Sequence, residues 1–127
     1  MKELDDDGYP TEEALEVIRK WDFADETNHE IHNLLDFVQR LWSYPDRFCW
    51  YSTAYSKEYT KPDMSGKYKV KYRKLYLSTG GWSGNESVID ALQDNFMFWA
   101  MCWAKTERGG HYWFEIPEIK KPLVKEG

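Results

Sequence analysis

Cysteine is scarce in this sequence: Cys49 and Cys102 are its two thiols, and they lie far apart. Two isolated cysteines exclude a disulfide framework and a cysteine-based zinc site, and they suit a reducing compartment. Long hydrophobic runs are also missing, so no segment is long enough to cross a bilayer. The acidic stretch from Met1 to Asp7 lacks the apolar core of a secretory signal. We therefore expect a cytoplasmic protein with no membrane partner.

Basic residues are outnumbered, with 17 Lys and Arg against 22 Asp and Glu and a net charge of −5. A bulk electrostatic attraction to DNA or RNA is therefore not expected, and nucleic acid is not a predicted partner. One local exception is a stripe formed by Lys67, Lys69, Lys71 and Arg73. Such a stripe can contact phosphates, but lysines also protect edge strands from pairing with other chains, and we favour the second interpretation.

Histidine is rare too, and the recognisable patterns of catalytic and metal sites are missing. His29 and His32 are one helical turn apart with Asp36 beyond them, but no third strong ligand follows, so we expect no metal and no cofactor. Ser83 is not in a complete nucleophile elbow, so no catalytic residue is assigned.

Aromatic residues, in contrast, are abundant, since seven Trp, nine Tyr and six Phe make up 17% of the chain. Trp and Tyr provide large, rigid contact areas, so some of these rings are expected to face a ligand or a protein partner. The alternative is that they fill the core and cover the sheet. The sequence leaves both interpretations open for any single ring.

Residue periodicity predicts an α+β fold, organised as one domain over residues 1–127. Two N-terminal helices come first, one capped by Thr11 and one starting with a capping box at Thr27 and Glu30. Strands are predicted at residues 47–55 and 67–77, separated by a polar loop at 56–66. Residues 1–8 and 118–127 are expected to be flexible tails.

A third helix is predicted between the second and third strands of an antiparallel sheet of about four strands. Ser83 or Asn85 is expected to cap this helix, with Glu86 completing a capping box and Asn95 as a left-handed stop. Residues 98–106 and 112–116 then read as the last two strands, joined by a hairpin at 107–110. The predicted order is helix, helix, strand, strand, helix, strand, strand.

The segment from Ser78 to Glu86 is the main candidate site, because its three glycines join a predicted strand to a predicted helix. Such glycines let backbone amides approach an anion at the positive end of a helix. The last hairpin is expected to add charge and rings to this site. The predicted ligand-binding residues are Thr79, Gly80, Gly81, Trp82, Ser83, Asn85, Glu86, Arg108, His111, Tyr112 and Trp113. The alternative is a turn that needs glycine only for its dihedral angles.

The segments 77–86, 97–103 and 108–112, together with Tyr9-Pro10-Thr11, resemble a family of small uncharacterised bacteriophage and prophage proteins. The shared motif reads STGGWSGNE, followed further along by RGGHY. The resemblance covers most of the chain, whereas the loop at 56–66 is individual to this sequence. It implies a phage origin and a location in the host cytoplasm, and it implies no activity.

Three functions are compatible with these features. The first is a non-enzymatic binder of a nucleotide-like or other anionic small ligand that counters host defence. The second is an inhibitor that docks on a host protein through exposed aromatic residues, and a homodimer is also left open. The third and weakest is a small nucleotide hydrolase or nuclease that uses Glu86, Asp90 and His111.

Overall fold

A computed structural model describes residues 1–120 of the chain. In that part of the protein, four α-helices and a four-stranded antiparallel sheet form an α+β fold. The sequence predicts this class and an antiparallel sheet of about four strands, but only three helices. The elements are α1 (Glu12–Arg19), α2 (His29–Leu41), a 3₁₀ turn (Pro45–Arg47), β1 (Phe48–Thr60), β2 (Lys67–Ser78), α3 (Ser83–Asp94), α4 (Phe96–Cys102), β3 (Trp103–Glu107) and β4 (His111–Pro117). No helix within residues 1–120 is both long enough and apolar enough to span a membrane.

The two N-terminal helices begin differently from each other. Thr11 caps α1 as predicted, because its hydroxyl accepts a hydrogen bond from the Ala14 amide. The predicted capping box of α2 is wrong. The carboxylate of Asp25 accepts the amides of His29 and Glu30, and the hydroxyl of Thr27 donates to the same carboxylate. A charged oxygen is the stronger acceptor, so Asp25 displaces Thr27 from that role.

The hairpin of β1 and β2 is longer than the sequence predicts. Residues 56–60 lie in β1 and not in a loop, since Ser56 to Thr60 pair in register with residues 67–71 of β2. Only residues 61–66 form the connection, which is closed by a hydrogen bond from the Lys61 amide to the Gly66 carbonyl. This end of the hairpin extends beyond β4, whose pairing with β2 starts at Tyr72. The side chains of residues 56–60 are therefore largely exposed and mostly polar, which is why the sequence predicts a loop there.

The predicted third strand is wrong over its first half, because residues 96–102 form α4. Asn95 is not a left-handed stop. Its backbone is extended, with φ −80°, and its side chain caps α4 by accepting a hydrogen bond from the Phe98 amide. Phe98 and Cys102, four residues apart, are buried on the inner side of the helix. An apolar run with no polar face gives no periodicity that separates helix from strand.

The strand order is β1-β2-β4-β3, so β2 and β4 are the central strands and β3 is an edge. Alternate side chains of the central strands, among them Leu75, Leu77, Phe114 and Ile116, are buried in the core with the helices. The other face carries the intervening residues, such as Tyr76 and Trp113, and these are partly or fully exposed. We call this second surface the open face of the sheet.

Both terminal segments contact the body of the protein where they are described. The Glu3 carbonyl accepts the Thr11 amide, the Glu3 carboxylate pairs with Arg40 at 3.0 Å, and Leu4 packs against the core. At the other end, the Glu118 amide donates to the Lys71 carbonyl and the Lys120 amide to the Thr27 carbonyl. The predicted tails at 1–8 and 118–120 are thus attached by hydrogen bonds. The rest of the predicted C-terminal tail lies outside the described residues.

Candidate functional site

The glycine segment follows β2 directly and lies against the last hairpin. The Thr79 amide donates a hydrogen bond to the Gly110 carbonyl at 3.0 Å. Thr79 is buried, and a Cβ placed on Gly110 would collide with its Oγ1. The two segments are therefore adjacent as the sequence analysis requires, but they are in direct contact at this point, and no ligand fits between Thr79 and Gly110.

Two glycines of the segment adopt left-handed backbone conformations. Gly80 has φ +60° and Gly81 has φ +74°, and the turn is closed by a hydrogen bond from the Trp82 amide to the Thr79 carbonyl. Arg47 lies over Gly80, within 3.1 Å of where a Cβ would be, whereas nothing lies within 4 Å of the corresponding position on Gly81. The dihedral angles alone explain why glycine is used in this turn.

Trp82 precedes α3 and is packed against the N-terminal segment. Its ring lies 4.5 Å from that of Tyr9 and covers Gly84, where a Cβ would collide with the indole nitrogen. The predicted cap of α3 is wrong, since Trp82 occupies the N-cap position and no side chain makes a capping hydrogen bond. Ser83 and Glu86 are exposed on the first turn of the helix. The first hydrogen bond of α3 runs from the Glu86 amide to the Trp82 carbonyl, so α3 begins directly after the packed Trp82.

Asn85 is fully buried, and its side chain forms hydrogen bonds with backbone groups of the protein. Its side-chain oxygen accepts the Ser43 amide, and its side-chain nitrogen donates to the carbonyls of Ser43 and Thr79. These bonds join the end of α2 to the end of β2. The amide group of Asn85 is therefore already used by the backbone on both sides, and it is not the cap of α3.

The hairpin residues of the predicted site are divided between different surfaces. Arg108 is exposed in the turn, and Tyr112 lies on the core side, with its ring next to that of Trp99. His111 and Trp113, in contrast, lie on the open face. The predicted residues therefore do not line one common cavity, and the prediction of a site at the glycine turn stays a prediction.

The open face carries the best-formed concave surface near the predicted residues. It is a groove of about 530 Å³, which we call the open-face groove. Strands β1, β2, β3 and β4 all contribute to it. The lining residues are Tyr51, Tyr55, Lys57, Lys74, Ala104, Lys105, Trp113 and Glu115. Three lysines and three aromatic rings thus face one depression.

Two of these lysines lie against aromatic rings. The Lys105 ammonium lies 5.0 Å from the centroid of the Trp113 ring, and the Lys74 ammonium lies 5.7 Å from that of Tyr55. Both distances fall within the range of cation–π attraction. Lys105 also pairs with Glu107 at 2.6 Å, while Lys74 has no carboxylate within salt-bridge distance in the described part of the chain. Lys74 is therefore an ammonium held in place by a ring.

Among the described residues, Glu115 is the one carboxylate that lines the groove, and both of its oxygens accept hydrogen bonds. It accepts hydrogen bonds from the hydroxyl of Tyr55 and from Lys57 at 2.8 Å. Partial burial alone would raise the pKa of Glu115, but the bonds from Lys57 and Tyr55 lower it below its ordinary value. The same contacts raise the pKa of Lys57. The pair therefore stays charged at neutral pH.

A second group of rings holds Trp113 in place. Tyr76 packs against Trp113 with ring centroids 5.0 Å apart, and the Trp113 indole donates a hydrogen bond to the Tyr51 hydroxyl at 3.2 Å. Tyr76 also shares a hydrogen bond with Nδ1 of His111 at 2.5 Å. Trp113 is thus fixed by neighbours on two strands, and its ring does not need to be ordered when a ligand binds.

Sequence reasoning named Trp113 and His111 but missed the lysines and Glu115. The signal is a period of two: Lys74 and Tyr76 in β2 and Trp113 and Glu115 in β4 alternate with core residues, and Tyr55 and Lys57 continue the same face in β1. It was hidden because Lys57 was placed in a loop. The prediction that the lysine stripe lies on an edge strand is correct only in part. β2 is a central strand of the sheet, but its residues 67–71 pair with β1 alone and therefore lie at an edge.

The groove offers ammonium, phenol and indole groups, which suit the binding of an anion attached to a flat ring. Within residues 1–120, no group of three or more His, Cys, Asp or Glu is placed to hold a metal ion. Comparison with protein-family models, with curated proteins and with solved structures found no match for this chain. The function is therefore argued from the geometry of the open face.

Proposed function

We propose that this protein binds, without transforming it, a small ligand that joins an anionic group to a flat ring, as a nucleotide does, and that the open-face groove is the site. The observation that carries the proposal is the position of Lys74. Its ammonium lies over the Tyr55 ring, in a groove shared with Trp113, and has no carboxylate partner in the described residues. Glu115 lies opposite Lys74 in the pairing of β2 with β4 and attracts its charge, but the Glu115 oxygens bond to Tyr55 and Lys57. Lys74 can therefore take a further anion as a direct hydrogen-bond partner.

The charge of the groove supports this choice. Lys57, Lys74 and Lys105 stand against Glu115 and the neighbouring Glu107, which leaves a surplus of one positive charge (three minus two). The chain as a whole carries −5, so the groove differs in sign from the rest of the protein. A local field of this kind attracts a small anion even when the overall charge is negative.

The rings of the groove suit the planar part of such a ligand. Stacking of a base on an aromatic side chain contributes about 1–3 kcal/mol. Trp113 is held by Tyr76 and Tyr51, and Tyr55 is held by Glu115, so both rings are ordered beforehand. The volume of about 530 Å³ lies within the usual range of small-molecule sites.

Binding without catalysis is proposed because the groove lining lacks a nucleophile activated by a base. The lining contains no histidine or cysteine, and its carboxylate is committed to Tyr55 and Lys57. Cys102 lies in α4, where burial raises the pKa of its thiol to about 12. A buried, protonated thiol is not a nucleophile. In the setting that the resemblance implies, a phage protein of this kind would sequester a host nucleotide.

Isothermal titration with AMP, adenosine and inorganic phosphate tests the proposal. AMP combines both recognised features, so we expect it to bind at least tenfold more tightly than either adenosine or phosphate alone. Partial quenching of the intrinsic tryptophan fluorescence should follow the same titration, and it should be absent in Trp113→Leu if Trp113 is the ring that is covered. If no nucleoside monophosphate gives measurable heat at millimolar concentration, or if AMP is no better than phosphate, the proposal is wrong.

A further inference from the structure

The surface of α4 is unusual because the helix contains no polar side chain. Its sequence is FMFWAMC, and only Phe98 and Cys102 are buried. Phe96 is 78% exposed, Met97 54% and Met101 40%. A helix that is apolar all round is normally covered on all sides. Here half of its circumference faces outward and is not covered by any of residues 1–120.

The exposed residues of α4 form one continuous patch. At 100° per residue, Phe96, Met97, Ala100 and Met101 share one side of the helix, opposite Phe98 and Cys102. Trp103 follows directly, is 44% exposed and stacks on Trp99 at 5.9 Å. We call the surface made of Phe96, Met97, Ala100, Met101 and Trp103 the α4 patch. Apolar patches of this kind mark interaction surfaces.

The α4 patch runs into an unprotected sheet edge. β3 is the last strand in the order β1-β2-β4-β3, and all five of its residues, Trp103–Glu107, are exposed. Among residues 1–120 it pairs with β4 alone, so its other side offers backbone N–H and C=O groups to a further strand. The patch and the edge are continuous through Trp103, which indicates one partner for both.

The charges of β3 are self-complementary. If two copies of β3 pair antiparallel about a two-fold axis at Thr106, Lys105 of each copy lies opposite Glu107 of the other. Lys105 and Glu107 already pair within one chain at 2.6 Å, on the open face. Their side chains are 58% and 50% exposed, so this pair is free to exchange partners. Thr106 would lie opposite itself, which is a favourable cross-strand pair.

We propose that the partner of this surface is a second copy of the same chain. Two copies joined at β3 would form one eight-stranded sheet, twice the four strands of the single chain. Trp99 of α4 packs against Trp103 and Tyr112, and Tyr112 pairs with Thr106, so α4 lies on the helix side of the sheet close to the axis. A two-fold axis at Thr106 would therefore place both α4 helices on the same side of the joined sheet, next to the joint. The methionines of the patch adapt easily to such a contact.

Sedimentation equilibrium of the full chain between about 1 and 200 µM tests the dimer, a range in which micromolar association is visible. We expect a monomer–dimer equilibrium for the wild type and at least a tenfold weaker association for the double variant Met97→Asp/Met101→Asp. Met64→Asp is the matched control, because Met64 is 80% exposed in the β1–β2 connection, and it should dimerise like the wild type. A wild type that is monomeric throughout overturns the proposal and leaves the surface to another protein.

The register is tested by charge reversal. Lys105→Glu alone would place carboxylates opposite each other, and Glu107→Lys alone would do the same with ammonium groups, so each should weaken the dimer. The double exchange Lys105→Glu/Glu107→Lys restores opposite pairs across the axis and should restore dimerisation. Equal dimerisation of all three variants overturns the proposed register.

Cross-linking gives a second measurement that does not depend on charge. In a Cys49→Ser background, which leaves only the buried Cys102, Thr106→Cys should form a disulfide dimer on mild oxidation. Ala104→Cys should not, because residue 104 would lie opposite residue 108. No dimer from either variant, or equal dimer from both, contradicts pairing at Thr106. Met97 and Met101 do not line the open-face groove, so the double variant should bind the ligand as the wild type does even when it is monomeric. The dimer and the ligand site can therefore be tested independently.

Discussion

The hydroxyl of Tyr55 donates a hydrogen bond to the carboxylate of Glu115, although the two residues belong to strands that are not neighbours. Tyr55 lies in β1 and Glu115 in β4, so the bond passes over β2. Lys57 makes the same crossing at 2.8 Å. These bonds join β1 to β4 across β2 on the open face. They also occupy Glu115, the one carboxylate that lines the groove within residues 1–120, which leaves Lys74 available for a ligand.

Replacement of Glu115 by Gln should change how stability depends on pH. The pKa of Glu115 lies below its ordinary 4.5 in the folded protein, so its charged form is favoured by folding. That contribution is present in full above about pH 4.5 and is lost as the pH falls through the folded pKa. We expect Glu115→Gln to be less stable than the wild type at pH 7 and to lose less stability on acidification.

Urea unfolding between pH 3 and 7 measures this difference. Glu58→Gln is the control, since Glu58 lies in the same hairpin and pairs with Lys67 at 3.4 Å with both side chains well exposed. Its pH curve should run parallel to that of the wild type. If Glu115→Gln also runs parallel to the wild type, the coupling of Tyr55, Lys57 and Glu115 to folding is wrong.

Lys74→Ala should weaken nucleotide binding without unfolding the protein. A hydrogen bond to a charged group contributes about 1.5–3 kcal/mol, which corresponds to a loss of roughly ten- to a hundredfold in affinity. Titration of AMP into the variant gives the measurement. Lys20→Ala is the matched control, because Lys20 is 77% exposed at the end of α1, and it should bind AMP like the wild type. Equal losses in both variants would point to a nonspecific charge effect.

Part of this architecture is predictable from the sequence, and the physical reasons for the rest differ from element to element. The cap of α1 is local, so Thr11 is readable from the pattern alone. Asp25 was missed because two caps compete within five residues and the charged one wins. Residues 98–102 are predicted as strand because the apolar character of this run is the same on every side.

The site was harder to predict than the fold, because it depends on pairing between distant strands. The sequence places the glycine segment beside the last hairpin, but it does not show that Thr79 and Gly110 touch. The groove brings Lys57, Lys74 and Glu115 together from three strands through the registers of β1 with β2 and of β2 with β4. Those registers become readable only when the hairpin is known to reach Thr60.

Trp113→Leu should remove the stacking surface while keeping an apolar side chain in the sheet. Stacking of one base on an aromatic ring contributes about 1–3 kcal/mol to the binding free energy. Without it, the affinity for AMP should fall by at least about fivefold. Binding of inorganic phosphate should not change, because the lysines remain. This split between the two ligands is the readout, since a general distortion of the groove would weaken both equally. Circular dichroism checks that the variant is folded.

Gly110→Ala and Gly81→Ala should separate the packing role of the glycine segment from a binding role. Gly110 has φ +80° and contacts Thr79 Oγ1, so a Cβ there adds a collision to the backbone strain. We expect a loss of about 2–4 kcal/mol in the free energy of unfolding. Gly81 has φ +74° with open space around it, so alanine should cost only the strain of about 1–2 kcal/mol. Urea unfolding measures both losses.

The Gly81→Ala variant also tests where the ligand binds. If the open-face groove is the site, Gly81→Ala should bind AMP with the affinity of the wild type, because Gly81 is not among the residues that line the groove. If the ligand instead sits on the amides of the glycine turn, a methyl group on Gly81 would stand in its way and the affinity would fall sharply. A loss of AMP binding in Gly81→Ala, together with normal binding in Lys74→Ala, would move the site from the groove to the turn.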